Sequence, residues 1–170
     1  MSNVLDRWNE LIAESAAAEV MSCCGSEAWA HELAARRPFE NEGMLLIASD
    51  EIWNRLDAQH WLEAFSKHPR IGERRAPSGA SAQSAVWSAK EQRTAAATDE
   101  NHQVALAEAN QEYERRFGRV FIVCATDKSA TEILGILRQR LRNDDATELR
   151  VAAEEQRKIT NLRLKKWLEA

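Results

Sequence analysis

The sequence predicts an all-α, single-domain multi-helix bundle with one long loop, and three observations carry that expectation. Apolar residues recur at three- and four-residue steps through most of the chain. Helix-start signals of the capping-box type recur between those runs. Only Val120-Phe121-Ile122-Val123-Cys124 is β-branched and apolar enough to suggest a strand, and it has no partner run. A lone strand makes no sheet, so this segment reads as buried extended backbone or a helix end. A chain of 170 residues that is 44% hydrophobic and 29% charged suits one core, and residues 1–170 are expected to form one domain.

Taken in order, Val4, Leu5, Trp8, Leu11 and Ile12 give a first short helix, and Trp29, Leu33 and Ala34 a second, which starts after Gly25-Ser26. Arg37-Pro38 stops it, because the residue before proline is pushed out of the α region. A third helix is predicted from about Asn41 to Leu56 and a fourth from about Ala58 to Phe65. The alanine- and glutamate-rich stretch from Asp99 to Arg116 favours one long exposed helix, ended by Phe117-Gly118. Ser129-Ala130-Thr131-Glu132 is a capping box that opens a helix through about Arg142, and Asp145 with Glu148 opens the last, which reaches Trp167.

Two places break this pattern. Lys67 to Val86 has no helical period and holds two of the three prolines and two of the six glycines. Loops this long in compact domains are usually functional or disordered. His68-Pro69 and Ile71-Gly72 give its first half a fixed geometry, whereas Ser78 to Ser84 reads as mobile. Ser88-Ala89-Lys90-Glu91 then reads either as a structural helix start or as part of a site. His68 is either a loop histidine bonded to backbone or an acid/base group working with a nearby carboxylate. In the last helix Ile159, Arg163 and Trp167 share a row, which sets an arginine between two large apolar side chains. Arg163 either snorkels, pairs with Glu155, or points into a cavity to bind an anion.

Composition excludes several classes. A net charge of −4 with interspersed signs and no basic block argues against nucleic acid and anionic lipid as partners. No apolar run approaches the roughly 20 residues of a membrane span, the N-terminus has no secretory pattern, and Leu168-Glu169-Ala170 is not a peroxisomal address, so a cytoplasmic protein is expected. Cys23, Cys24 and Cys124 lack zinc spacing and read as buried reduced thiols, and His31, His60, His68 and His102 show no metal-binding pair; no metal is expected.

His68-Pro69-Arg70-Ile71-Gly72 followed by Trp87-Ser88-Ala89-Lys90-Glu91-Gln92 resembles the paired signature of the 2-oxo-4-hydroxy-4-carboxy-5-ureidoimidazoline (OHCU) decarboxylases of urate degradation. Cys24-Gly25-Ser26, Arg37-Pro38-Phe39, Trp61 to Phe65, Phe121 to Ala125 and the tail Glu155 to Leu164 resemble the same family in order, so nearly the whole chain is covered. His60 departs from it, standing where members often have an acidic residue. The resemblance implies an all-α fold and cofactor-free decarboxylation of OHCU to (S)-allantoin. It assigns His68 as the acid/base group and Glu91 as its partner, with Glu91 favouring the imidazolium. Ser88 and Arg163 would hold the substrate carboxylate, with Ser84 a rival for the serine role. Pro69 would shape the pocket, Gln92 bond the ligand, and the backbone at Phe121, Ile122 and Val123 read the ring and ureido edges. A homodimer is expected from the family and from the six tryptophans, since aromatic residues are enriched at interfaces. The reading from another class is a non-catalytic helical module that binds a ureide or a protein.

Overall fold

A computed structural model describes residues 3–73, 77–96 and 99–170. Among these the regular elements are ten α-helices, with no strand. They are α1 (Asn3–Glu10), α2 (Ala13–Val20), α3 (Glu27–Ala35), α4 (Glu42–Arg55), α5 (Ala58–Phe65), α6 (Ala82–Glu91), α7 (Arg93–Ala96), α8 (Glu100–Phe117), α9 (Ala130–Arg140) and α10 (Asp145–Leu168). The all-α expectation holds. None of these helices is long and apolar enough to cross a membrane.

The helix ends follow from local chemistry. Side-chain oxygens of Ser26, Asn41, Asp99 and Ser129 accept the N–H three residues on, satisfying a donor the helix leaves open. Ser129 Oγ also donates to the Glu132 carboxylate, so the two residues of the predicted capping box meet side chain to side chain. Gly118 ends α8 at φ 67°, a left-handed conformation that glycine adopts without strain. Asp144, rather than Asp145, caps α10, its carboxylate taking the Thr147 N–H at 2.8 Å.

Three sequence expectations are corrected. α2 precedes the first expected stop at Pro38, so three helices rather than two open the chain; Ile12 starts it without a side-chain cap. α6 begins at Ala82, where Ser81 accepts the Ser84 N–H at 3.0 Å, so Ser88-x-x-Glu91 is not a helix start but the buried last turns of a helix already running. The irregular stretch after α5 therefore ends at Ser81, and Ala82 to Val86, expected as loop, are helix; Arg74 to Ala76 lie outside the described residues. Val120 to Ala125 is neither helix nor strand and is buried from Phe121 to Ala125, as expected.

The chain divides into two compact units, residues through Ala64 with Arg157–Ala170, and Phe65–Gln156. In the first, α2 packs on α3 and α3 on α4. Its core centres on Trp8, which is fully buried, stacks on Phe39 at 6.2 Å and meets the edge of Trp167 at 5.5 Å. The Arg37 guanidinium lies over the Trp8 ring and donates to the carbonyls of Trp8, Asn9 and Leu11, capping the C-terminus of α1. Trp8, Trp29, Trp53, Trp87 and Trp167 are buried and Trp61 half-buried, so the tryptophans are core and do not argue for a dimer. In the second unit α8 packs on α9 around Ile71, Leu106, Tyr113, Phe117, Phe121, Ile133 and Leu137.

Candidate active site

The second unit holds a cleft of about 670 Å³ between the Pro69–Glu73 turn, α6 and α8. Pro69, Ser88 and Gln92 line it together, with Ile71, Gly72, Asn110 and Glu114. Of the residues singled out from sequence, these three are brought to one cavity. Ser84 is buried one turn before Ser88 on α6 and is not part of the lining.

Why the turn sits there is visible in its anchors. Ile71 drops into the hydrophobic core and its carbonyl accepts from Asn110 Nδ2 at 3.1 Å. The Gly72 N–H donates to Gln92 Oε1 at 3.1 Å, and Gly72 takes φ 91°, which lets the chain turn there. Arg70 reaches the Glu114 carboxylate with Nε and with Nη2, the latter at 3.0 Å, and Glu73 at 3.2 Å. Arg70 is thus spent on α8, and the motif's work is to fix the backbone just after His68.

His68 is half-buried, and its Nε2 meets Gln156 Oε1 at 2.6 Å. That oxygen only accepts, so Nε2 carries the hydrogen and the ring is oriented by α10. Gln156, fully buried, is the partner that sequence reasoning missed. It sits in the charged run Glu154-Glu155-Gln156-Arg157, which reads as a solvated face. The available signal was spacing: Gln156, Thr160 and Arg163 fall on one helical face at steps of four and three, and all three are buried.

Glu91 is buried on the face of α6 that also carries Ser84 and Ser88. Its charge acts on Cys124, whose thiol is pushed up chiefly by burial and further by Glu155 and Glu91, against the pull of Lys128. Glu91 therefore stands near the irregular segment. That segment is pinned at Cys124, whose N–H donates to Glu155 Oε2 at 2.8 Å and whose carbonyl accepts from Lys128 Nζ at 2.7 Å. The Ile122 carbonyl accepts from Arg140 Nη1 at 2.5 Å. No described residue takes the N–H groups of Phe121, Ile122 and Val123, although these residues are buried. No described residue donates to the carbonyls of Phe121 and Val123 either; buried backbone groups are costly to leave unmet, so the segment is suited to a ligand that bears both donors and acceptors.

Arg163 lies in the first unit, 2% exposed, and donates to the Ser22 carbonyl at 3.2 Å. It does not snorkel to solvent. Its charge draws the neighbouring Cys23 and Cys24 thiols down, but burial dominates, holding Cys23 far above the ordinary range and Cys24 up at about 12. These cysteines are free, buried and unreactive, as read from sequence. Among the described residues no group of three His, Cys, Asp or Glu side chains is placed to hold a metal ion.

Comparison with known proteins gives a consistent result. Residues 9–165 match the family model for OHCU decarboxylase. The chain is 39% identical over 145 residues to the uric acid degradation bifunctional protein TTL of Arabidopsis thaliana, covering 85% of this chain but 44% of that protein. It is 33% identical over 130 residues to the 2-oxo-4-hydroxy-4-carboxy-5-ureidoimidazoline decarboxylase of Amia calva, covering 75% of this chain and 73% of that one. A crystal structure of OHCU decarboxylase in the presence of (S)-allantoin superposes with a TM-score of 0.77 at 35% identity, over 89% of this chain and 98% of the other.

Proposed function

Because the chain belongs to the OHCU decarboxylase family, we propose that it decarboxylates 2-oxo-4-hydroxy-4-carboxy-5-ureidoimidazoline to (S)-allantoin. The observation that carries this reading is the convergence of Pro69, Ser88 and Gln92 on one cleft, beside a motif turn whose anchors fix the backbone next to His68.

The bond from the ring carbon to the carboxylate breaks and carbon dioxide leaves. The electron pair passes into the substrate's own conjugated imine, the hydroxyl on the carbon that lost the carboxylate gives up its proton to become the ring carbonyl, and a proton is added on one face to the adjacent carbon that bears the ureide. The protein's tasks are to hold the carboxylate, align the breaking bond against the ring plane and deliver the proton from one side. Ser88 and Arg163 take the carboxylate, Arg163 with a guanidinium fork that matches two oxygens. His68, held in orientation by Gln156 and partnered by Glu91, delivers the proton. Gln92 bonds the ligand, Pro69 shapes the wall, and the backbone N–H and C=O groups of Phe121, Ile122 and Val123 meet the ring and ureide edges.

The test adds freshly generated OHCU and follows circular dichroism for (S)-allantoin forming faster than the racemic product of spontaneous decay. His68→Ala is expected to abolish that stereospecific rate while staying folded. Undiminished turnover in this variant, or no chirality from the parent protein, favours the non-catalytic binding module instead. The finer readings are a cytoplasmic location and a homodimer; a monomer in sedimentation at micromolar concentration overturns the dimer.

A further inference from the structure

The irregular segment at Val120–Ala125 has no helix or sheet ladder to fix its backbone, so side chains must do it. On one side stands a buried polar group formed by α8, α9 and α10. Glu148, fully buried, accepts through Oε1 from Arg140 Nε at 2.8 Å, from Arg140 Nη2 at 2.5 Å and from the Tyr113 hydroxyl at 2.7 Å. Its Oε2 accepts from Asn143 Nδ2 at 3.0 Å. Arg140 has one further arm, Nη1, which goes to the Ile122 carbonyl. Its guanidinium also lies 4.5 Å from the centre of the Phe121 ring, and the same ring meets Tyr113 edge-on at 5.2 Å. Residues on two sides of one peptide unit are thus gripped by a single guanidinium.

A buried arginine and glutamate carry a desolvation cost that a pair of apolar residues would not, so their presence calls for a reason beyond stability. We infer that Arg140, oriented by Glu148 and Tyr113, is a positioning residue that holds the Ile122 carbonyl and so fixes the neighbouring N–H and C=O groups of the segment in place for the substrate. The inference rests on the reading that this backbone meets the substrate.

Two variants test it. Tyr113→Phe removes one donor from Glu148 and keeps the ring; Arg140→Lys keeps the charge but cannot serve Glu148 and Ile122 together. With OHCU, each is expected to raise KM roughly five- to tenfold, about one hydrogen bond's worth, with kcat little changed. A merely structural role lowers the active fraction, hence apparent kcat, and leaves KM alone. Titration of ¹⁵N-labelled protein with (S)-allantoin gives a readout apart from turnover: the amide signals of residues 121–123 move in the parent protein and need proportionately more allantoin in the variants. Should Arg140→Lys not fold, Tyr113→Phe decides. Folded variants that keep the parent KM and allantoin titration overturn the role of Arg140. A parent protein that neither turns over OHCU nor shifts those amides overturns the underlying reading instead.

Discussion

Two irregular stretches of the second unit, one after α5 (66–73 and 77–81) and one at 120–125, carry residues of the candidate site and are held differently. The first has surface ties beside one apolar anchor: Arg70, its side chain 47% exposed, pairs with Glu114, Gly72 donates to Gln92, and Ile71 sits in the core. The second is tied from inside by Arg140 and Glu148, whose side chains are 7% and 0% exposed. Exposed ion pairs contribute little, because water screens them and two long side chains must be ordered. A buried pair contributes little net either, yet breaking it leaves one uncompensated charge in a dry place. The turn that carries His68 is therefore tolerant of surface change, while the backbone edge at Phe121–Val123 is intolerant of change some distance from it.

The sharpest way to break this contrast is Glu148→Ala. It strands the Arg140 guanidinium and the Tyr113 hydroxyl together, and is expected to cost about 3–5 kcal/mol in urea unfolding. A cost under about 1 kcal/mol would show that the interior group is not what fixes the segment. Alkaline pH probes the same region. Burial raises the Tyr113 hydroxyl, with the bond to Glu148 adding to it, and burial raises the Cys124 thiol. The unfolded chain gives up these protons near the ordinary values of about 10 and 8.5, while the folded chain keeps them. Their stabilisation is therefore whole below pH of about 8.5 and falls as pH climbs toward the raised values, by up to about 1.4 kcal/mol per pH unit for each group. Urea midpoints from pH 8 to 11 check this, and Tyr113→Phe and Cys124→Ala should each flatten the slope. The smallest effect belongs to the turn: Arg70→Ala is expected to cost under about 1 kcal/mol and to cost less still at high salt. A loss as large as that of Glu148→Ala would erase the contrast.

The same contrast explains what was legible in the sequence. Helix positions followed from apolar spacing, and Ser129-x-x-Glu132 announced its own cap because both of its contacts lie within four residues. The motif turn stood out because proline and glycine act on their own backbone. α6 was misplaced because Ser88-x-x-Glu91 matches a capping box by type, while the true cap, Ser81 over Ser84, lacks the acidic partner that would mark it. Once that start moves back to Ser81, Ser84, Ser88 and Glu91 become one buried polar stripe, a stronger signal of a site than a cap. Gln156 and Arg140 went unread, and Glu148 was read only as part of a helix start, because a polar residue in a charged helix looks solvated until another element covers it. Tyr113 and Glu148 are 35 residues apart, and His68 and Gln156 are 88 apart, distances over which no local pattern speaks.

The cap at Ser81 also divides the chain into a part that tolerates insertions and a part that does not. An extra residue between Pro77 and Ala80, ahead of the cap, lengthens an exposed connection at little entropic cost. The same residue placed after Ser81 turns everything beyond it by about 100° around the helix axis. Ser88 would then leave the cleft and a neighbour such as Lys90 would rotate inward. Relatives of this chain should differ in length just before that serine and keep strict count from it to Gln92.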